Sequence, residues 1–128
     1  MTEAITNGIK ISVETNYQPS HSNVLINEHI FSYHITIENT LHVAIKLLSR
    51  HWLIFDSCGD WREVNGEGVI GMKPLLLPGE KFDYTSSCNL LTELGKMRGT
   101  YTMIRLTDKK KFNVQIPEFE LIAPVKMN

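Results

Sequence analysis

The strongest constraint on this chain is a period of two. From His29 to Glu38 apolar and polar residues alternate. Phe31, Tyr33, Ile35 and Ile37 fall on one parity, Ser32, His34, Thr36 and Glu38 on the other. Successive side chains of a strand point to opposite faces, so this segment reads as a half-buried strand. The pattern recurs in Ile9, Ile11 and Val13, in Phe82 and Tyr84, in Tyr101 and Met103, and in Phe112, Val114 and Ile116. Residues 43–55 are the most hydrophobic stretch. They begin with the same alternation, but after Ser49-Arg50 both parities turn apolar (Trp52 and Ile54; Leu53 and Phe55). A strand that changes parity in this way carries a bulge or bends between sheets. The second such place is Pro117, beyond which the apolar parity moves to Phe119 and Leu121. Proline within a strand belongs at an edge or a bulge, and the parity shift points to a bulge.

Turn signals separate these segments: a polar loop over 17–27, Asn39-Thr40, the hairpin loop Asp56–Asp60, and the basic run Lys109-Lys110-Lys111, read as a solvated turn. Residues 90–97 suggest one helical turn closed by Gly95. The first few residues and Pro124 to Asn128 read as tails. The count is seven to eight strands with no long helix. The expected fold is all-β, an immunoglobulin or fibronectin-III-like sandwich in a single domain over 1–128. A chain of 128 residues buries enough surface for a core without metals or disulfides.

Charge narrows the function classes. The formal net charge is −1, so no basic field calls for nucleic acid and no polybasic run calls for anionic lipid. The first twenty residues hold no continuous apolar run, and no stretch approaches a membrane span. A cytoplasmic location is expected, with Cys58 and Cys88 as reduced thiols lacking metal or redox spacing.

Glycine and proline concentrate in Trp61–Cys88, which contains Gly66-Glu67-Gly68-Val69-Ile70-Gly71. In letters this matches a dinucleotide fingerprint. That fingerprint needs a helix behind it to receive the pyrophosphate. Here Pro74 and Pro78 follow and exclude an ordinary helix. Two readings of the glycines remain. They supply positive φ or close backbone approach at a bend. Alternatively Gly66, Gly68 and Gly71 expose backbone N–H groups in a nest that holds a small phosphate-containing anion, flanked by Arg62 and Lys73. Glu67 counts against the anion. A protein interface is the other candidate. Trp61, beside charged Arg62-Glu63, is a natural anchor. Leu75, Leu76 and Leu77, apolar on both parities, suggest a patch covered by a partner protein or a second copy of the chain. The contrary expectation for the leucines is burial between sheets.

No catalytic set emerges. Ser86, Ser87 and Cys88 are nucleophile types without an elbow motif or a placed histidine. The histidines, His21, His29, His34, His42 and His51, show no zinc-ligand spacing and read as surface groups. No metal ligands and no cofactor are assigned.

Several segments together resemble the ApaG family. They are Leu47-Leu-Ser-Arg-His-Trp-Leu-Ile54, Val64-Asn-Gly-Glu-Gly-Val-Ile-Gly71, Pro74, Pro78-Gly-Glu80, Phe82-Asp-Tyr84-Thr-Ser86, Thr92, Gly95-Lys-Met97-Arg-Gly99-Thr-Tyr101-Thr-Met103, and Ile116-Pro117 with Phe119. One departure is Ser87-Cys88, where the family usually has glycine and a small residue. The resemblance implies a fibronectin-III-like sandwich and a link, by family name, to cobalt and magnesium efflux or resistance. Related eukaryotic domains look like protein-binding modules, and the family offers no catalytic residues to transfer. The combined expectation is a non-enzymatic binding module with an unidentified protein partner. The alternative is a binder of phosphate, pyrophosphate or a nucleoside polyphosphate at Gly66–Gly71.

Overall fold

The computed structural model describes residues 1–124. These hold nine strands: β1 (Thr2–Thr6), β2 (Ile9–Tyr17), β3 (His29–Asn39), β4 (Ile45–Asp56), β5 (Trp61–Glu67), β6 (Leu75–Leu76), β7 (Lys81–Leu90), β8 (Leu94–Arg105) and β9 (Lys111–Ile122). Every pairing is antiparallel. One sheet runs β1-β2-β3-β7. The other runs β5-β4-β8-β9, with β6 also paired to β4. Among the described residues no helix is long and apolar enough to cross a membrane.

The alternating parities become the two inner faces. Ile9, Ile11 and Val13 of β2 and Phe31, Tyr33, Ile35 and Ile37 of β3 are buried against Leu47, Trp52, Met103, Val114, Ile116 and Phe119 of the other sheet. Trp52 is the aromatic centre. Its ring lies 5.4 Å from Tyr33 and 5.9 Å from Phe119, edge-on to both. Both expected bulges are present. Leu47 and Ser49 of β4 face consecutive residues Met103 and Thr102, which leaves Leu48 as the extra residue. Met97 and Gly99 of β8 face Phe119 and Ile116, so β9 gains a residue at Pro117–Glu118.

Three expectations are corrected. The first residues are not a tail but form β1, joined to β2 by Asn7 (φ 50) and Gly8 (φ 79). Asn-Gly is the usual two-residue hairpin turn, because both positions need positive φ. No helical turn forms over 90–97. β7 ends at Leu90 and β8 starts at Leu94, since Leu90 and Met97 bury while Leu91 and Leu94 face out. Finally, His29 is not a surface group but buried, with its Nδ1 3.1 Å from the Tyr17 hydroxyl. Residues 125–128, part of the expected C-terminal tail, lie outside the described residues.

The sandwich closes differently along its two sides. On one side β1 and β2 pack against β9, and Asn7 Nδ2 donates to the Asn113 carbonyl at 3.2 Å. On the other, edge strands β5 and β7 flank an open cleft. The candidate surfaces lie around that open side.

Candidate functional site

β5 is an edge strand exposed on nearly every residue. Its outward residues continue a face shared with β4 and β8. Trp61 pairs with Phe55, and their ring centroids are 4.9 Å apart. The Arg98 guanidinium sits 5.1 Å from the Trp61 ring centroid and Lys96 Nζ 5.6 Å from the Phe55 ring centroid. Trp61 nevertheless remains 49% exposed, so this aromatic and cationic stack presents a rigid, partly apolar face to solvent.

The four interface candidates do not form one patch. β6 pairs with Ile45 and Lys46 at one end of β4, while Trp61 pairs with Phe55 at the other. At about 3.3 Å per residue that separation is roughly 30 Å. Leu75 and Leu77 are half-exposed, at 48% and 50%, but Leu76 is buried at 4% in the core. Period-two geometry reconciles the two earlier readings of the leucines: the outer pair face out and the middle one in.

The glycine segment is a tight reversal between β5 and β6. Val69 and Met72 exchange backbone hydrogen bonds of 2.8 and 2.9 Å around Ile70 (φ 44) and Gly71 (φ 75). This is the mirror-image hairpin turn that requires two positive φ angles. Gly68 has φ +61, and a Cβ there would stand 2.2 Å from the Met72 carbonyl oxygen. The Gly68 N–H donates to the Leu48 carbonyl at 2.8 Å. Lys73 pairs with Glu67 at 3.0 Å. Arg62 reaches the opposite way, to Asn89 on β7. Gly66, Gly68, Gly71 and Lys73 therefore share the turn, and Arg62 does not join them.

The cation that lies on the glycines is Arg50, which no charge or spacing pattern singles out. Its Nη1 donates to the carbonyls of Glu67 and Gly68 at 3.0 and 2.9 Å. Its guanidinium covers Gly66 so closely that a Cβ there would be 2.6 Å from Cζ. Arg50 shares the inner face with Tyr101, its partner in register, near Tyr33 and Tyr84. The Tyr84 and Tyr101 hydroxyls are 2.5 Å apart. Burial pushes all three tyrosines above the ordinary phenol value, with Arg50 a smaller opposing influence. At the other end of the cleft, Arg62 donates to the Asn89 side chain and carbonyl, with Cys88 Sγ 3.7 Å away. Burial raises the Cys88 thiol and the Arg62 charge opposes that rise.

Other candidates are accounted for locally. Ser86 stands opposite Tyr33 in the β3–β7 register. His34 pairs with Asp83 at 2.8 Å and His51 with Glu63 at 3.5 Å. Among the described residues no three His, Cys, Asp or Glu side chains gather as a metal site requires.

The ApaG domain model matches residues 19–105. The chain belongs to the ApaG family. Protein ApaG of Anaeromyxobacter dehalogenans is 42% identical over 128 residues, covering 100% of both chains. Protein ApaG of Nitrosomonas europaea is 47% identical over 116 residues, 91% of each. Among solved structures, the putative ApaA protein of Bordetella pertussis superposes with a TM-score of 0.88 at 41% identity, covering 92% of this chain and 95% of that one. The ApaG match spans β3 to β8 and so contains both sides of the open cleft.

Proposed function

We propose that this ApaG-family chain is a non-enzymatic binding module whose protein contact is the outer face of the second sheet, centred on Trp61. The observation that carries this is the stack of Trp61 on Phe55 and under Arg98, half-exposed at a sheet edge. Tryptophan and arginine are the residue types that dominate interface energies, and truncating such an anchor typically costs about 2 kcal/mol or more. The free edge of β5 adds unpaired backbone groups that a partner strand can meet.

Pull-down from cell lysate with the immobilised chain tests this reading. A reproducible partner is retained by wild type and by Leu75→Ala, which lies at the far end of β4, and lost with Trp61→Ala. No reproducible partner, or equal capture by Trp61→Ala, counts against it. Sedimentation of the chain alone distinguishes a second copy from a different protein. The family link to cobalt and magnesium enters here only as an indirect role, acting through the partner. Calorimetry with each ion tests that; tight binding to the isolated chain would make the role direct.

A further inference from the structure

The open side of the sandwich is a cleft of about 260 Å³ between β5 and β7. At about 30 Å³ per water, that is the room of roughly nine waters. Arg50 and Arg62 both line it, and no aspartate or glutamate does. Four cations elsewhere meet carboxylates: Lys10 with Glu3, Lys73 with Glu67, Lys96 with Glu118, and Arg105 with Asp108. The two cleft arginines are held by neutral acceptors instead. Arg50 donates to main-chain carbonyls, and Arg62 to Asn89 with the Cys88 sulfur beside it. Nε and Nη2 of Arg50 donate to no acceptor among the described residues. Neither does the buried indole N–H of Trp52, which also lines the cleft. The cleft is thus lined by two arginines that form no ion pair among the described residues.

Register sets the spacing of those charges. Arg62 pairs with Ile54, four residues along β4 from Arg50 and on the same face. Their backbones are therefore separated by about 13 Å along the sheet. Val64 and Trp52 lie between them, and the Ser86 hydroxyl lines the facing wall. Two long guanidinium side chains entering from opposite ends suit an elongated anion with charge at each end better than a single compact one. We propose that this cleft, and not the glycine turn beside it, is a binding site for a small linked diphosphate. The proposal stands apart from the protein-contact reading, because the cleft faces inward and Trp61 outward.

The test is a titration of the full chain with pyrophosphate, followed by backbone amide shifts. Saturable shifts are expected at 62–66 and 86–89, with inorganic phosphate binding more weakly. Arg62→Gln, at an exposed position, is expected to weaken pyrophosphate about tenfold, the scale of a lost charge-assisted contact. Arg50→Lys keeps the charge but loses the fork, and weakens it as well. Shifts confined to 67–73 would overturn the assignment and place the anion on the glycine turn. No saturable response, or the same response to sodium chloride at matched ionic strength, would also overturn it. So would unchanged affinity in a folded Arg62→Gln.

Discussion

Raising the pH above 10 should dismantle this protein through three tyrosines. Tyr33, Tyr84 and Tyr101 are 6%, 6% and 0% exposed, and burial is the leading cause that lifts each above the phenol value of 10.0. In the unfolded chain the same groups ionise near 10. Above that pH the native state holds protons that the unfolded state has lost. The stability these groups contribute is therefore complete below pH 10 and falls as the pH climbs toward their native values. Each group costs about 1.4 kcal/mol per pH unit in that window, so the three together cost about 4 kcal/mol per unit. Against a total of about 5–15 kcal/mol, losses on this scale should destabilise the fold steeply above pH 10. Urea melts in half-unit steps from about pH 8 to about pH 11.5 measure the slope. The Tyr84→Phe/Tyr101→Phe double variant removes both hydroxyls of the bonded pair. It leaves neither partner unsatisfied, so its cost at neutral pH is small. Its alkaline slope should drop by about 2.7 kcal/mol per unit, the share of the two removed phenols. A stability that stays flat above pH 10 would refute the reasoning, as would an unchanged slope in the double variant. So would core tyrosinate absorbance that rises while near-ultraviolet dichroism is still native.

Further outcomes follow from the same geometry. Gly68→Ala places a Cβ 2.2 Å from the Met72 carbonyl oxygen at φ +61 and should cost about 3 kcal/mol in urea. Ile70→Asn relieves a β-branched residue at φ 44 that is 54% exposed, and should gain about 1 kcal/mol. Asp56 is buried and accepts from the Leu91 N–H at 2.6 Å and from the Thr92 hydroxyl, so Asp56→Ala should lower stability by about 3 kcal/mol without changing the denaturant slope. Iodoacetamide followed by mass spectrometry should label exposed Cys58 well before buried Cys88. Arg62→Gln should push Cys88 labelling to still higher pH, because it removes the charge that opposes the burial-driven rise.

The strands that bury one face were legible because alternation is a direct consequence of that burial. β3 and the first half of β9 read straight from their parity, and both bulges announced themselves as parity changes. β5 was not legible, since Trp61-Arg-Glu-Val-Asn-Gly-Glu67 is exposed on both sides and has no apolar side to alternate. The 90–97 segment misled because Leu91 and Leu94 have helical spacing. Gly95 there is no helix cap; its missing Cβ admits the Phe55 carbonyl, which would lie 2.3 Å from that atom. Of the candidate site residues, the glycines were found for their backbone role. Arg50 was missed because an arginine within a strand reads as a solvent-facing residue, and only the pairing of β4 with β5 and β8 shows it facing in. The tyrosine cluster draws on β3, β7 and β8, so no local window contains it.

One extra residue links these surfaces. Without Leu48 as a bulge, the parity that buries Ile45 and Leu47 would continue to Ser49, His51, Leu53 and Phe55. With it, Arg50, Trp52, Ile54 and Asp56 turn inward and Leu53 and Phe55 turn out. Hydrophobicity alone barely separates the two choices, since Trp52 and Ile54 on one parity match Leu53 and Phe55 on the other. The inward choice lets Trp52 pack on Tyr33 and Phe119 and lie over Gly99, where a Cβ would be 3.2 Å from the indole. It carries Arg50 into the cleft, where Gly66 leaves space for its guanidinium. It also sets Phe55 on the outer face as the platform for Trp61. The arginine-lined cleft and the aromatic outer face are thus two consequences of a single register shift, and a change that removed the bulge would abolish both at once.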